Sequence, residues 1–97
     1  MGENEKCSWH DAKQETTFLE RGIDFADLSP FFDDEQCLIR EDDRQDYGEP
    51  RYNMLASHEG VILNITFTPR AGKFHIISAR IANRKERAIY AKDKASS

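Results

Sequence analysis

At 97 residues and net charge −4, with 33% charged and 38% apolar residues, the chain has material for one polar but core-forming domain, taken here as residues 1–97. Its longest apolar stretch, Val61 to Phe67, is broken by Asn64 and Thr66 and falls short of the roughly 18 residues a membrane span needs, and the acidic start Met1-Gly2-Glu3-Asn4-Glu5-Lys6 has no apolar segment behind it to act as a leader. A membrane protein, a secreted disulfide mini-protein and a large multidomain enzyme are therefore set aside, and a cytoplasmic location with Cys7 and Cys37 as reduced thiols is expected.

Residues 1–6 read as a flexible end, followed by a short strand at Cys7-Ser8-Trp9 with Trp9 in the core. From Asp11 the pattern is helical, with Phe18 and Leu19 following Ala12 and Glu15 at helical spacing. Gly22 suits a helix end, because it tolerates the left-handed backbone there. Asp24 is a fresh N-cap for a short second helix from Phe25 to about Ser29, which Pro30 stops or bends.

Four strands follow. Cys37 to Arg40 is the first, and a polar loop over residues 42–49 leads to the second, Arg51 to Ala56. The third, residues 61–68, follows a hairpin signal at His58-Glu59-Gly60 that leaves His58 exposed. It alternates cleanly: Val61, Leu63, Ile65 and Phe67 on one face, Ile62, Asn64, Thr66 and Thr68 on the other. A turn at Pro69-Arg70-Ala71-Gly72 leads to the fourth, Lys73 to Arg80, where Phe74, Ile76 and Ser78 oppose His75, Ile77 and Ala79. Asn83 caps a last helix from Arg84 to about Lys92, and residues 93–97 read as flexible. The expected fold is α+β, an antiparallel sheet of about four strands with two N-terminal helices and one C-terminal helix, all on one sheet face.

The charge is divided along the chain. Residues 1–49 hold 15 acids and 5 bases, and residues 50–97 hold 3 acids and 9 bases. The acidic run Asp33–Glu49 reads as a solvated loop or a partner surface. A basic half suits a polyanion or an acidic partner, or simply complements the acidic half within the fold. Phosphate-binding glycine loops, nucleophile elbows and paired zinc ligands are absent; Cys7 and His10 form a Cys-x-x-His with no second pair, so neither a metal nor a cofactor is expected.

The mixed sheet face carries the chemistry. Asn64, Thr66, Thr68 and His75 gather there, with Arg70 and Arg80 as further candidates. RNA cleavage without a metal needs a base for the ribose 2′-hydroxyl, an acid for the leaving 5′-oxygen and cations for the phosphate. Histidine, with an ordinary pKa of about 6.5, suits the proton transfers. The arginine fork suits two phosphate oxygens. The plainer alternatives are that His75 is an ordinary strand histidine and that Arg80 pairs with the acidic run.

Three stretches resemble the BrnT family, the toxin half of a bacterial type II toxin–antitoxin pair. They are Trp9-His10-Asp11-Ala12-Lys13 with Arg21-Gly22-Ile23-Asp24-Phe25; Asp43-Arg44-Gln45-Asp46-Tyr47-Gly48-Glu49-Pro50-Arg51; and Thr68-Pro69-Arg70 with Ile76-Ile77-Ser78-Ala79-Arg80 and Arg84-Lys85-Glu86-Arg87. The resemblance implies a RelE-like fold and a metal-independent endoribonuclease that inhibits translation. It also implies a BrnA-type antitoxin that neutralises the toxin and carries the DNA contact, so that the toxin meets DNA only indirectly. On this reading Arg70 and Arg80 clamp phosphate and His75 is general acid or base. Glu49 is a second candidate base, or closes a turn or pairs with an arginine. Lys13, Arg21, Arg44 and Arg51 position RNA. Two positions depart from the family pattern: Arg21 stands where His is usual, and His75 where Arg is usual. If both line one site, a His and an Arg have traded places and their side chains should approach one pocket. The alternative function is a catalytically inactive binding module that only assembles with an antitoxin into a repressor.

Overall fold

The computed structural model describes residues 1–43 and 48–96. Its strands are β1 (Gly2–Glu3), β2 (Cys7–Trp9), β3 (Leu38–Glu41), β4 (Tyr52–His58), β5 (Val61–Arg70) and β6 (Lys73–Ile81). Helix α1 spans Asp11–Arg21, a run of 3₁₀ turns spans Phe25–Asp33, and helix α2 spans Arg84–Ser96.

The fold is α+β as expected, but the sheet has six strands, in the order β1-β2-β6-β5-β4-β3, and it is mixed. Strands β3 to β6 form the expected antiparallel meander. The chain's start adds two more: β2 pairs parallel to β6, and β1 folds back antiparallel on β2. Short N-terminal strands of this kind carry little sequence signal, because two or three residues cannot show alternation. Strand β1 lies within residues 1–6, and α2 runs on through residues 93–96.

Strand β5 keeps the predicted alternation. Leu63, Ile65 and Phe67 join Met54, Ala56, Ile76 and Ala79 in the main core beneath Phe25, Leu28 and Phe31 of the 3₁₀ run. Phe32, Phe67 and Phe74 stack and meet edge-on beside them. Trp9 is buried there as predicted.

Strand β6 departs from simple alternation. Its pairing with β5 slips at Thr66/Phe67, so Phe67 faces Ile76 while Thr66 faces Ser78. A bulge inserts one residue, Ile77, and reverses the side-chain order beyond it. Ala79 therefore turns into the core, and Ser78 and Arg80 join His75 on the opposite face. The predicted grouping of Ser78 with Phe74 and Ile76 fails for this reason.

The helices do not share one face. Tyr90 of α2 and Ala82 pack with Leu55, Leu38 and Ile62; Leu55 and Ile62 alternate with the main-core residues of their strands. Thus α2 covers one end of the second face, while Thr68 and His75 are buried toward the other end. In α1, Phe18 and Leu19 point outward at 52% and 76% exposure, and Thr17 is the buried residue. Gly22 ends this helix in the left-handed conformation (φ 70°), as its sequence position suggests.

Asp24 caps the next segment through Ala26 N–H, but Pro30 does not stop it. In a succession of 3₁₀ turns a proline forfeits only its own N–H, and the run continues to Asp33. His58 closes β4 rather than sitting in the turn, half-buried with its ring edge-on to Phe31 at 5.6 Å.

Candidate active site

The second sheet face carries a polar stripe set by strand register. Across β5 and β6 the pairs are Asn64–Arg80, Thr66–Ser78 and Thr68–His75, ending at Arg70–Lys73. Asn53 of β4 lies beside Thr66, and Arg40 of β3 beside Asn53. The bulge is what aligns these side chains; without it Arg80 and His75 would point to opposite faces.

At the α2 end the stripe forms a cleft of about 470 Å³. Arg40, Asn53, Thr66, Ser78, Arg80 and Glu86 line it, and Glu41, Asp42 and Asp43 add negative charge. Both nitrogens of the Arg80 fork bind Glu86, at 2.7 and 2.8 Å. Glu86 also accepts from Asn64 Nδ2 at 2.6 Å and from Asn83 N–H at 2.9 Å. Asn83 Oδ1 in turn accepts from Glu86 N–H, which completes a capping box at the start of α2. These donors, Arg80 foremost, hold the Glu86 carboxyl at about 2. A carboxylate so stabilised is a poor base. Arg80 retains Nε–H and one Nη2–H for other partners.

At the other end, Thr68 Oγ1 donates to the Pro50 carbonyl at 2.6 Å. This ties the segment before β4 across the face and brings Glu49 to Arg70, whose Nη2 lies 3.0 and 3.1 Å from its two oxygens. His75 is the neighbouring imidazole. Burial, then the charge of Arg70, holds it below the ordinary imidazole range, opposed by Glu49 and aided by His10. Ser8 Oγ lies 3.0 Å from His75 Nδ1. An imidazole, a carboxylate and a guanidinium thus converge at this end, two of the three being able to accept a proton.

The family model for the ribonuclease toxin BrnT of type II toxin–antitoxin systems matches residues 9–86, most of the chain. The chain belongs to the BrnT family. No curated protein matches it. The match includes both ends of the polar stripe and the bulge between them. The toxin of a type II system has an antitoxin partner, and the family description assigns ribonuclease activity.

Within this BrnT chain the positions singled out in sequence disperse. His75, Arg70 and Glu49 come together. Arg80 lies farther along the stripe, and its carboxylate partner is Glu86, not the acidic run. Arg51 is half-buried just before β4, and its carbonyl accepts from Asp42 N–H at 2.7 Å. Lys13 is exposed on α1. Arg44 lies outside the described residues.

Arg21 donates to the Ala79 carbonyl at 3.0 Å, four residues along β6 from His75. The two departures from the family pattern therefore meet the same strand but not the same partner. The acidic run is also less uniform than expected, for Asp34 is an internal anchor. It accepts from Ser57 N–H at 2.9 Å and Tyr90 Oη at 2.6 Å. Ser8 escaped the sequence reading because only the parallel β2–β6 pairing reveals it. Glu86 was within reach, since Asn83-Arg84-Lys85-Glu86 is a capping-box pattern.

Proposed function

We propose that this chain is a metal-independent endoribonuclease that inhibits translation and is neutralised by a BrnA-type antitoxin, on a fold of RelE type. The observation that carries the reading is the convergence of His75, Arg70 and Glu49 at one end of the polar stripe. Attack of the ribose 2′-oxygen on phosphorus needs an acceptor for its proton, and Glu49 and His75 are the acceptors at hand. Negative charge then builds on the phosphoryl oxygens. Arg70 answers it locally, and Arg80 with its spare donors is a second cation farther along the stripe, beside the carboxylates Glu41, Asp42, Asp43 and Glu86. Lys13, Arg21, Arg44 and Arg51 would hold flanking RNA. The chain acts as a single domain in the cytoplasm; no helix of the described residues is long and apolar enough to cross a membrane. The antitoxin covers the stripe and supplies the DNA contact.

A second reading has its own support. Both arginine forks, Arg70 and Arg80, already hold carboxylates. A catalytically inactive module that only assembles with its antitoxin into a repressor would need no free fork.

The deciding experiment is cleavage of a long RNA by antitoxin-free protein in EDTA, beside Arg70→Ala. Arg70 is exposed near the end of β5, so its loss should leave the fold intact. Cleavage that survives EDTA and disappears in Arg70→Ala is expected. Intact RNA with folded protein, on free message and on ribosomes, would favour the binding module.

A further inference from the structure

Ser8 and His75 are partners in the parallel β2–β6 register, and both are buried, at 6% and 7% exposure. The Ser8 hydroxyl has one proton to give. Among the described residues its only side-chain hydrogen-bond partner is His75 Nδ1, 3.0 Å away. A buried hydroxyl gives its proton to an available acceptor. A ring nitrogen that accepts carries no proton, so the neutral imidazole holds its own on Nε2. Nε2 has no protein partner among the described residues and is not sealed from solvent. The charged and titratable groups around the ring are Arg70, Glu49 and His10, and with burial their balance favours the neutral ring.

We propose that Ser8 is a positioning residue for His75: its hydroxyl donates to Nδ1, fixes the Nε2–H tautomer, and makes the ring a hydrogen-bond donor to a phosphoryl oxygen of bound RNA. The inference rests on the ribonuclease reading and divides the labour within it. Glu49 becomes the base. As the 2′-oxygen bonds to phosphorus, its proton passes to the Glu49 carboxylate. The bond from phosphorus to the 5′-oxygen breaks, and the 5′-oxygen takes a proton from water. His75 keeps its proton throughout and stabilises the charge on the phosphoryl oxygen, as neutral imidazole donors do at other oxyanions.

The tautomer is measurable without any RNA. Long-range ¹⁵N–¹H correlation spectra of the intact protein, at a pH above the ring's titration, distinguish a protonated Nε2 from a protonated Nδ1. The expected result is Nε2–H in the unaltered protein and a tautomer mixture in Ser8→Ala. Ser8→Thr, which keeps the hydroxyl on a side chain suited to a strand, restores the Nε2–H signature. In cleavage assays Ser8→Ala should lower kcat about tenfold with KM unchanged, the pattern of a lost orienting partner. A protonated Nδ1 in the unaltered protein overturns the proposal, and so does a Ser8→Ala protein with the same tautomer and the same kcat. If Ser8→Ala fails to fold, the spectrum of the unaltered protein still decides. An Nε2–H spectrum from a protein that leaves RNA intact would remove the catalytic role and the ribonuclease reading together, while the Ser8–His75 bond itself stood.

Discussion

Glu86 holds Arg80 through a two-point ion pair, at 2.7 and 2.8 Å, and the same carboxylate closes the capping box of α2. One side chain thus joins the end of β6, the sheet face at Asn64 and the first turn of the last helix. The wiring explains how a helix with an exposed polar surface stays docked over one end of a sheet face. It also fixes the direction in which the Arg80 fork points.

The pair should be visible in the pH dependence of stability. The Glu86 carboxyl is held at about 2 against an ordinary value of 4.5. A depressed carboxyl stabilises the fold fully above its unfolded value, and the contribution is lost as the pH falls from 4.5 toward 2. Glu86→Gln keeps the capping geometry but loses the ion pair. Denaturant titrations should show it less stable at pH 7 by about 1–2 kcal/mol, with Arg80 exposure limiting the loss. Its stability should also fall less steeply below pH 4.5 than that of the unaltered protein. Identical slopes would show that the pair contributes nothing.

Arg80→Ala tests whether that fork also meets RNA. It removes two of the bonds on Glu86, so stability should drop by about 1–3 kcal/mol. Binding is best measured in a His75→Ala background, so that RNA survives the titration. A phosphate contact at Arg80 predicts that the slope of log affinity against log salt falls by about one. An unchanged slope would confine Arg80 to holding α2.

Much of this architecture was legible in the sequence, and what was not has definite causes. The meander was readable because β5 alternates and its turns carry Glu59-Gly60 and Ala71-Gly72. The bulge at Ile77 was not, since an inserted residue leaves no mark in the hydrophobic pattern of a strand with apolar residues on both sides of it. Ser78 and Ala79 were consequently assigned to the wrong faces. The strand pairing of the first nine residues was invisible for a different reason: a parallel partner 67 residues away, as His75 is to Ser8, leaves no local signal. Phe18 and Leu19 marked α1 correctly, but helical spacing says only that residues share a face, and here that face is uncovered. His75, Arg70 and Glu49 were all named from the sequence, Glu49 with an arginine pair as its alternative; that its partner is Arg70 was not readable, because the Thr68 bond to Pro50 that brings them together leaves no local pattern.

The β5–β6 hairpin offers a stabilising change. Ala71 and Gly72 both have positive φ, 53° and 77°, as a two-residue type I′ turn requires. Alanine is poorly suited to that conformation, and asparagine tolerates it better. Ala71→Asn should raise stability by about 0.5–1 kcal/mol, which for a domain of this size is roughly 2–8 °C in Tm. The turn lies beyond Arg70–Lys73, so thermal melts should shift while RNA cleavage does not. A lower Tm would mean that Ala71 makes contacts its turn geometry does not reveal.

Gly2 is where the packing of β1 on Trp9 can be broken. It pairs with Trp9, and a Cβ built there would overlap the indole Nε1. No rotation of a methyl group relieves such a contact, so Gly2→Ala must displace either β1 or the indole. Displacing the two-residue strand is cheaper, because Trp9 is built into the main core and β1 is held by few bonds. The chain has one tryptophan, so its fluorescence reports the event alone. Gly2→Ala should shift Trp9 emission to longer wavelength as β1 lifts away and water reaches the indole edge. The amide protons of the β1–β2 pair should exchange quickly, while those of β4 to β6 stay protected. Unchanged emission and protection would mean that β1 does not cover Trp9 in solution.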